Sequence, residues 1–256
     1  MLATALPEAT FDPYLDPVTG LLRNLIGAHT QEALDAAEAD FTFFRATELM
    51  QHDGGRRPTG DLRELQTIHR QLFQDVYPWA GQIRTVDISK PGGQPFLPVS
   101  MIERSAGYIA DELVRENLLA GLSRDRFIER LAYFYDEVNY LHQFREGNGR
   151  TARVFWDRIA RAAGYRLDWR TVHGHVNDTA SRIAAEQHDL RPLRGMFDRI
   201  VTKAGRPGTG RDAARLESSA PSQSRRSTAT GGQEPHPRPP ATGSAHHHGR
   251  GPGFES

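Results

Sequence analysis

The sequence predicts an all-α domain, a helical bundle that carries one β-hairpin. Apolar residues recur at helical spacing in several segments between residues 30 and 200, and most of these segments begin at a residue that commonly caps a helix. One short segment, residues 83–89, instead alternates with the period of a strand. Hydrophobic residues make up 38% of the 256 residues, which is enough for one sizeable core.

Composition excludes several classes of protein. The chain has no cysteine, which excludes disulfides and thiol-based metal or nucleophile chemistry. The 32 basic and 32 acidic residues balance, so bulk charge does not indicate a direct nucleic-acid partner. No apolar run approaches the length of a membrane span, and the N-terminus lacks a basic-then-apolar signal pattern. We therefore expect a cytoplasmic protein without a membrane partner.

The two ends of the chain differ from its body. Residues 1–29 are predicted to be an irregular lead-in that packs on the body, with a turn at residues 16–20. Residues 204–256 are rich in Gly, Pro, Ser, Thr and Arg, and their only large apolar residues are Leu216 and Phe254. Such a composition cannot offset the entropy cost of ordering, so we predict a disordered tail. Residues 30–203 remain as one predicted domain.

Caps and apolar stripes predict the first two helices of the body. The first helix follows Thr30 as N-cap, and the second follows Asp61, which forms a capping box with Glu64. The predicted buried stripe of the first helix consists of Leu34, Ala37, Phe41 and Phe44. That of the second consists of Leu62, Leu65, Ile68, Leu72, Phe73 and Val76. His69 lies beside the second stripe, and we interpret it as a partly buried histidine with a hydrogen-bond partner.

A hairpin is predicted after the second helix. Residues 83–89 form the first strand, Pro91-Gly92-Gly93 turns the chain, and residues 94–98 return. A two-stranded hairpin is marginal in water by itself, and its prolines suit an exposed edge. From the residues alone, this segment is a surface excursion between helices.

Five further helices are predicted. Ser100 and Glu103 form a capping box for one helix, and Ser123 caps the next, which runs to His142. A helix after residue 147 ends at Gly164, two short helices follow, and the structured body ends near Lys203.

The loop between the helix that ends at His142 and the helix that follows residue 147 carries the residues with chemical roles. Gly147 and Gly149 can take positive φ and let the backbone wrap round a phosphate, and the first turn of the following helix offers unpaired N–H groups to the same anion. Asn148 can cap that helix or donate its amide to phosphate oxygens. Arg150 and Arg153 lie three apart on one helix face, where both can bind further phosphate oxygens. The sequence predicts a phosphate-binding site.

Two residues of the same loop supply a base and a metal ligand. Glu146 has no evident basic partner among its sequence neighbours, and a carboxylate beside phosphates is best explained as a Mg²⁺ ligand. His142, at the end of the preceding helix, can take up a proton at neutral pH. Each residue taken singly is more often structural, since a lone helix-end histidine or a Gly-Asn-Gly turn is common. Their joint occurrence at fixed spacing favours the functional interpretation.

The loop resembles the signature of the Fic family, enzymes that transfer AMP from ATP to protein hydroxyl groups. The matching string is His142-x-Phe144-x-Glu146-Gly147-Asn148-Gly149-Arg150-x-x-Arg153, with Gln143 where the family usually has proline. The resemblance implies ATP as co-substrate, Mg²⁺ on Glu146, His142 as the base, and ATP binding by Gly147, Asn148, Gly149, Arg150 and Arg153. It also implies that the hairpin is a flap that docks the target polypeptide by strand addition, through Ile88, Ser89, Lys90 and Phe96. Phe144 is expected to anchor the loop in the core.

Three other functions remain open at this stage. Some Fic relatives transfer the terminal phosphate of ATP instead, but these have a disrupted Gly-Asn-Gly, which is intact here. Others remove AMP from modified proteins. A non-catalytic binding module on a Fic scaffold is the third, although decay should first erode the histidine, carboxylate or arginines, and all are present.

Regulation by a separate protein is a further expectation from the resemblance. Many Fic proteins carry an inhibitory helix, Ser/Thr-x-x-x-Glu-Gly/Asn, whose glutamate pairs with the second motif arginine, here Arg153. No segment of this chain matches that pattern in a helical context. We therefore expect a small antitoxin that supplies the glutamate in trans, and this chain would be the toxin of the pair. Stand-alone toxins of similar make-up modify topoisomerase subunits, which is the target that the resemblance implies.

Overall fold

The computed structural model describes residues 12–52, 56–89 and 94–204. Most of the predicted disordered tail, the predicted turn at Pro91-Gly92-Gly93 and the flap residue Lys90 lie outside the described residues. No helix within these ranges is both long and apolar enough to cross a membrane.

The described residues form seven α-helices and a two-stranded sheet, which confirms the all-α prediction. The helices are α1 Gln31–His52, α2 Leu62–Phe73, α3 Ile102–Arg115, α4 Arg124–Leu141, α5 Asn148–Ala162, α6 Gly174–Gln187 and α7 Arg191–Ile200. Strands β1 (Tyr165–Leu167) and β2 (Val201–Lys203) pair antiparallel, with Tyr165 opposite Lys203. Each strand has only three residues, too few for an alternating pattern to stand out, so the sequence did not predict them.

The helix caps agree with the sequence in three cases and disagree in one. The Thr30 hydroxyl accepts a hydrogen bond from the backbone N–H of Ala33 (3.2 Å) at the start of α1. Asp61 accepts a hydrogen bond from the backbone N–H of Glu64 (2.8 Å) at the start of α2, and Ser123 accepts one from Arg126 (3.4 Å) at the start of α4. The prediction for Ser100 was wrong. It lies in a 3₁₀ turn, Val99–Met101, and α3 begins after it without a side-chain cap.

The buried face of α1 was predicted wrongly after its first turn. Leu34 is buried as expected, but 39% of Phe41 and 56% of Phe44 are exposed. The residues that continue the buried face at a spacing of four are Glu38 and Thr42, and the Thr42 hydroxyl donates to the Glu38 carbonyl (2.7 Å). The apolar pattern did not predict this face because the inward side of the helix is polar after Leu34.

The arms of the flap pair more sparingly than the predicted strands. The described contacts are a single antiparallel bridge between Ser89 and Pro95 and a hydrogen bond from Phe96 N–H to the Ile88 carbonyl (3.1 Å). Residues 83–87 form no strand. The backbone N–H of Arg84 donates instead to the carbonyl of Gln143 (2.9 Å) in the motif loop, which connects α4 to α5, and that of Thr85 to the hydroxyl of Tyr14 (3.0 Å).

Candidate active site

His142 lies directly after α4 and has left-handed backbone angles, φ 40° and ψ 53°. Such angles are uncommon for a residue with a side chain, and they turn the chain out of the helix into the motif loop. Its Nδ1 lies 3.4 Å from the carbonyl of Asn139. A carbonyl can only accept, so Nδ1 carries the hydrogen of this contact and Nε2 is left as the basic nitrogen.

The ring of Phe96, from the flap, stacks on the imidazole of His142. The ring centroids are 3.6 Å apart and the planes differ by 8°. Phe96 is 9% exposed and Ile88 1% exposed, and Ser89 is also buried. The side chains of Ile88 and Phe96 therefore pack inward, and Phe96 supports the ring of His142.

The motif loop is closed by the side chain of Asn148. Its Oδ1 accepts from the N–H of Phe144 (2.9 Å), and its amide nitrogen donates to the carbonyl of the same residue (2.7 Å). Both ends of the Asn148 amide thus contact the loop backbone and hold the loop in its closed shape. Arg145 anchors the loop to the N-terminal lead-in through a buried ion pair with Asp12 (2.8 Å).

Phe144 is fully buried, as predicted, and stacks on His69 at a centroid distance of 3.9 Å. His69 is itself fully buried, and both its nitrogens are bonded. Nδ1 accepts from the N–H of Gly81 (2.7 Å), so Nε2 carries the hydrogen and donates to the carbonyl of Glu146 (3.0 Å). Burial, and to a lesser extent the positive charge of Arg150, lower the pKa of His69 to about 3, although the hydrogen bond to the Glu146 carbonyl acts in the opposite direction. His69 is a neutral support for the loop.

The two glycines of the loop have different reasons to be glycine. Gly147 has φ 80°, and a Cβ there would overlap the ring of Phe73. Gly149 lies within α5 without positive φ, so that part of the prediction was wrong. A Cβ on Gly149 would meet no protein atom within 4 Å, and Gly149 is exposed at the first turn of α5. The absence of a side chain there leaves access to the first backbone N–H groups of the helix, where an anion is favoured.

A cluster of charges lies beside this helix start. Arg150 Nη2 lies 3.5 Å from Glu146 Oε1 and also donates to the buried carboxylate of Glu38, which in turn accepts from the hydroxyl of Tyr77. The expectation that Glu146 lacks a basic partner was therefore wrong, since Arg150 lies one turn along α5. Burial raises the pKa of Glu38 above its ordinary value.

Arg153 follows Arg150 on α5, with its guanidinium 5.7 Å from the ring centre of Trp169. The histidine, the carboxylate, the helix start and both arginines thus occupy one continuous segment that runs from the end of α4 into the first two turns of α5.

Comparison with known proteins agrees with this geometry. Residues 59–160 match the Fic/DOC family. The chain is 38% identical over 194 residues to the probable protein adenylyltransferase Fic of Escherichia coli, which covers 76% of this chain and 94% of that protein. The chain belongs to the Fic/DOC family. It is also 44% identical over 176 residues to the protein adenylyltransferase VbhT of Bartonella schoenbuchensis, covering 68% of this chain and 36% of VbhT, so it spans about a third of that protein.

Solved Fic structures share the fold. BepC from Bartonella tribocorum, solved with bound AMPPNP, superposes with a TM-score of 0.70 at 25% identity, covering 74% of this chain and 96% of that one. The Fic domain of a Bartonella quintana effector, solved with bound ADP, has a TM-score of 0.69 at 28% identity, covering 74% and 94%.

Three residues of this Fic site were not predicted from the sequence as parts of it. They are Glu38, which meets Arg150, Phe96 in its packing role on His142, and Arg84, whose guanidinium donates to the carbonyl of His142 (2.8 Å). Each lies far from the motif in sequence, and no local pattern relates them to it. The sequence offered one signal, Arg84 within the strand-like segment 83–89, and a single arginine in a strand does not indicate a site.

The donor set around Glu146 suits a metal ion that arrives with a nucleotide. Among the described residues, no group of three or more acidic, histidine or cysteine side chains could hold an ion by itself. Mg²⁺ usually needs only one or two carboxylates when substrate phosphates and water supply the other ligands. Glu146, half-buried at the start of α5, fits that role.

Proposed function

We propose that this Fic protein is a protein adenylyltransferase, which transfers AMP from ATP to a hydroxyl group of a target protein. The observation that carries the proposal is the juxtaposition of His142 with the accessible N-terminus of α5 and with Glu146 in one loop. The relatives named as protein adenylyltransferases support it independently.

The reaction follows from the roles these groups can take. The target hydroxyl oxygen forms a bond to the α-phosphorus of ATP, the bond from that phosphorus to the β-phosphate oxygen breaks, and pyrophosphate leaves. The hydroxyl proton passes to Nε2 of His142, the nitrogen that the Asn139 contact leaves basic. The N–H groups at the start of α5 stabilise the charge that develops on the phosphate, and Arg150 and Arg153 bind the departing oxygens. Mg²⁺ held by Glu146 supplies further charge neutralisation when it is bound.

The flap docks the target in this proposal, but through its backbone. Ile88, Ser89 and Phe96 are buried, and strand addition uses main-chain N–H and carbonyl groups. Lys90 keeps its proposed place in the docking segment. A charged substitution at Ile88 would test folding more than docking, because that side chain is 1% exposed.

The cellular setting is a further part of the proposal. An adenylyltransferase without a built-in inhibitory segment needs control from outside, which supports an antitoxin that places a glutamate on Arg153. The proposed compartment is the cytoplasm, and the proposed target a topoisomerase subunit. Expression of this chain alone should then arrest growth of a bacterial host, and His142→Ala should relieve the arrest.

Mass spectrometry of lysate proteins after incubation with ATP, Mg²⁺ and the purified protein tests the reaction. We expect a gain of AMP on hydroxyl side chains, lost in His142→Ala while ADP binding persists, because the anion site does not use the imidazole. Glu146→Ala should remove the Mg²⁺ dependence together with the activity. His175→Ala, at an exposed histidine of α6, is the control and should keep full activity. A gain of phosphate, no modification, or undiminished transfer by His142→Ala would contradict the proposal.

A further inference from the structure

We propose that Arg84 is a positioning residue that sets His142 and the flap in register with each other. This inference rests on the proposed function, since it concerns how the base and the target-docking segment are held together. Arg84 is 1% exposed and lies in the first arm of the flap, 58 residues before His142.

The guanidinium of Arg84 contacts three carbonyl groups from three separate segments. Nε donates to the carbonyl of His142 (2.8 Å), Nη1 to that of Val86 (2.8 Å), and Nη2 to that of Leu97. The backbone N–H of Arg84 also donates to the carbonyl of Gln143 (2.9 Å). One residue thus bonds both arms of the flap and two consecutive carbonyls of the motif loop.

These bonds act where the backbone of His142 most needs support. A left-handed residue with a side chain is strained and persists only where its surroundings hold it. The carbonyls of His142 and Gln143 define the peptide units that follow the left-handed turn, and Arg84 holds both. Without it, rotation of these units would redirect the imidazole.

The bond to Leu97 extends the control to the flap. Leu97 follows Phe96, whose ring stacks on the imidazole at 3.6 Å. Arg84 therefore fixes the backbone next to both members of the stacked pair. An arginine is suited to this because its planar fork offers five N–H donors in fixed directions, whereas a lysine ammonium could reach fewer carbonyls at once.

The ion pair of Arg84 with Asp87 is a lesser contact. Nη1 lies 3.4 Å from Asp87 Oδ1, and 58% of the Asp87 side chain is exposed, so water screens this attraction. The carboxylate also accepts a hydrogen bond from the N–H of Val99 (2.8 Å), at the 3₁₀ turn that follows the second arm. The carbonyl contacts, rather than the charge pair, make the case for positioning.

The test compares Arg84→Lys and Arg84→Gln with Arg130→Lys. Arg130 is a matched control because it also is largely buried, lies on α4, and bonds Glu112 (2.9 Å) and Glu116 (2.8 Å) away from the site. Measurements are the rate of AMP incorporation into lysate protein from labelled ATP, the KM for ATP, ADP affinity, Tm, and the ¹H–¹³C NMR resonances of the His142 ring.

We expect both Arg84 variants to lower the transfer rate at saturating ATP at least tenfold, with KM for ATP and ADP affinity changed less than threefold. The His142 resonances should shift or split into several conformers in both, and stay as in wild type in Arg130→Lys. Arg84→Lys keeps the charge and should fold even if Arg84→Gln does not, and it should recover part of the rate.

Three outcomes would overturn the inference. Wild-type rates and resonances in Arg84→Lys would show that the contacts do not matter for His142. Parallel losses in ADP affinity, Tm and transfer would show a merely structural role, and so would an equal loss of transfer in Arg130→Lys. If the wild-type protein itself transfers no AMP, the proposed function fails, but the NMR comparison still decides whether Arg84 positions His142.

Discussion

Helices α1 and α2 pack against each other and support the motif loop in opposite ways. From α2, the loop receives the ring of Phe73 against Gly147 and the buried ring of His69 against Phe144. From α1, it receives a single carboxylate, Glu38, which bonds Arg150. The α2 support is aromatic and uncharged, and the α1 support is ionic.

The two kinds of support contribute differently: one mainly to the stability of the fold, the other mainly to the chemistry of the site. Aromatic burial contributes favourably without a partner, so α2 can hold the loop in shape in all states of the protein. A buried carboxylate costs free energy unless it is paired, and removing one partner of a buried ion pair is costly when it leaves the other charge uncompensated. Arg150 would keep Glu146 at 3.5 Å after loss of the Glu38 charge. The aromatic support should therefore dominate folding, and the ionic one should mainly orient Arg150.

The largest expected effect comes from Gly147→Ala, which breaks the α2 support. The change adds a left-handed alanine, worth about 1–3 kcal/mol, and an overlap with Phe73 worth about 1–3 kcal/mol more. We expect the free energy of unfolding, from urea titration, to fall by about 2–6 kcal/mol.

Gly149→Ala is the matched control for that experiment. It is helical with open space around its Cβ, so its stability should stay equal or rise by up to about 1 kcal/mol, while ADP affinity falls because the methyl group obstructs the α5 N-terminus. A Gly147→Ala protein as stable as Gly149→Ala would contradict the close approach of Phe73.

The contrast between α1 and α2 also explains which parts of the site could be predicted from the sequence. The motif loop was predicted because its chemistry is local: His142 to Arg153 spans twelve residues, and each residue type restricts its neighbours' roles. The α2 stripe was predicted because burial there is apolar. Glu38 was missed since it lies 112 residues from Arg150, and an acidic residue on a helix normally indicates solvent.

Arg84 was missed for a related reason. Its segment alternates like a strand, which gives an arginine no special role. Its guanidinium bonds backbone carbonyls, and these contacts leave no pattern of side chains in the sequence. The packing of Phe96 on His142 was missed because alternation shows that the two faces of a strand differ, without showing which one meets His142.

We expect acid to lower the free energy of unfolding by an intermediate amount, because of the buried neutral His69. Its pKa is lowered from 6.5 to about 3, so the folded protein binds fewer protons there than the unfolded chain. The stability from neutral His69 is fully present above pH 6.5 and is lost as pH falls toward about 3, at up to about 1.4 kcal/mol per pH unit.

Urea titrations between pH 7.5 and 4.5 in EDTA measure this loss. His69→Gln cannot titrate, so its stability should be lower at pH 7.5 but should decline less steeply with acid, by about one proton. His175→Ala, on exposed α6, should keep the wild-type slope. Identical slopes in wild type and His69→Gln would show that His69 is not held neutral.

The smallest expected effect on stability comes from Glu38→Gln, which isolates the ionic support. Burial raises the pKa of Glu38, so the folded protein holds that proton more tightly than the unfolded chain, and wild-type stability declines as pH rises above the ordinary carboxyl value. Glutamine resembles the protonated form and keeps the volume. We therefore expect Glu38→Gln to change the free energy of unfolding by less than about 1 kcal/mol at pH 7, with the difference moving in favour of the variant as pH rises.

Glu38→Gln should change the orientation of Arg150 even though it hardly changes the stability of the fold. Glu146 remains beside Arg150 at 3.5 Å and then becomes its main anionic partner, which draws the carboxylate away from Mg²⁺. We expect the Mg²⁺ concentration needed for half-maximal AMP transfer to rise severalfold in Glu38→Gln. Phe44→Ser, at a 56% exposed position on the same helix, should change neither quantity. A loss of several kcal/mol in Glu38→Gln with an unchanged Mg²⁺ requirement would reverse the assignment, because the carboxylate of α1 would then serve folding as the rings of α2 do.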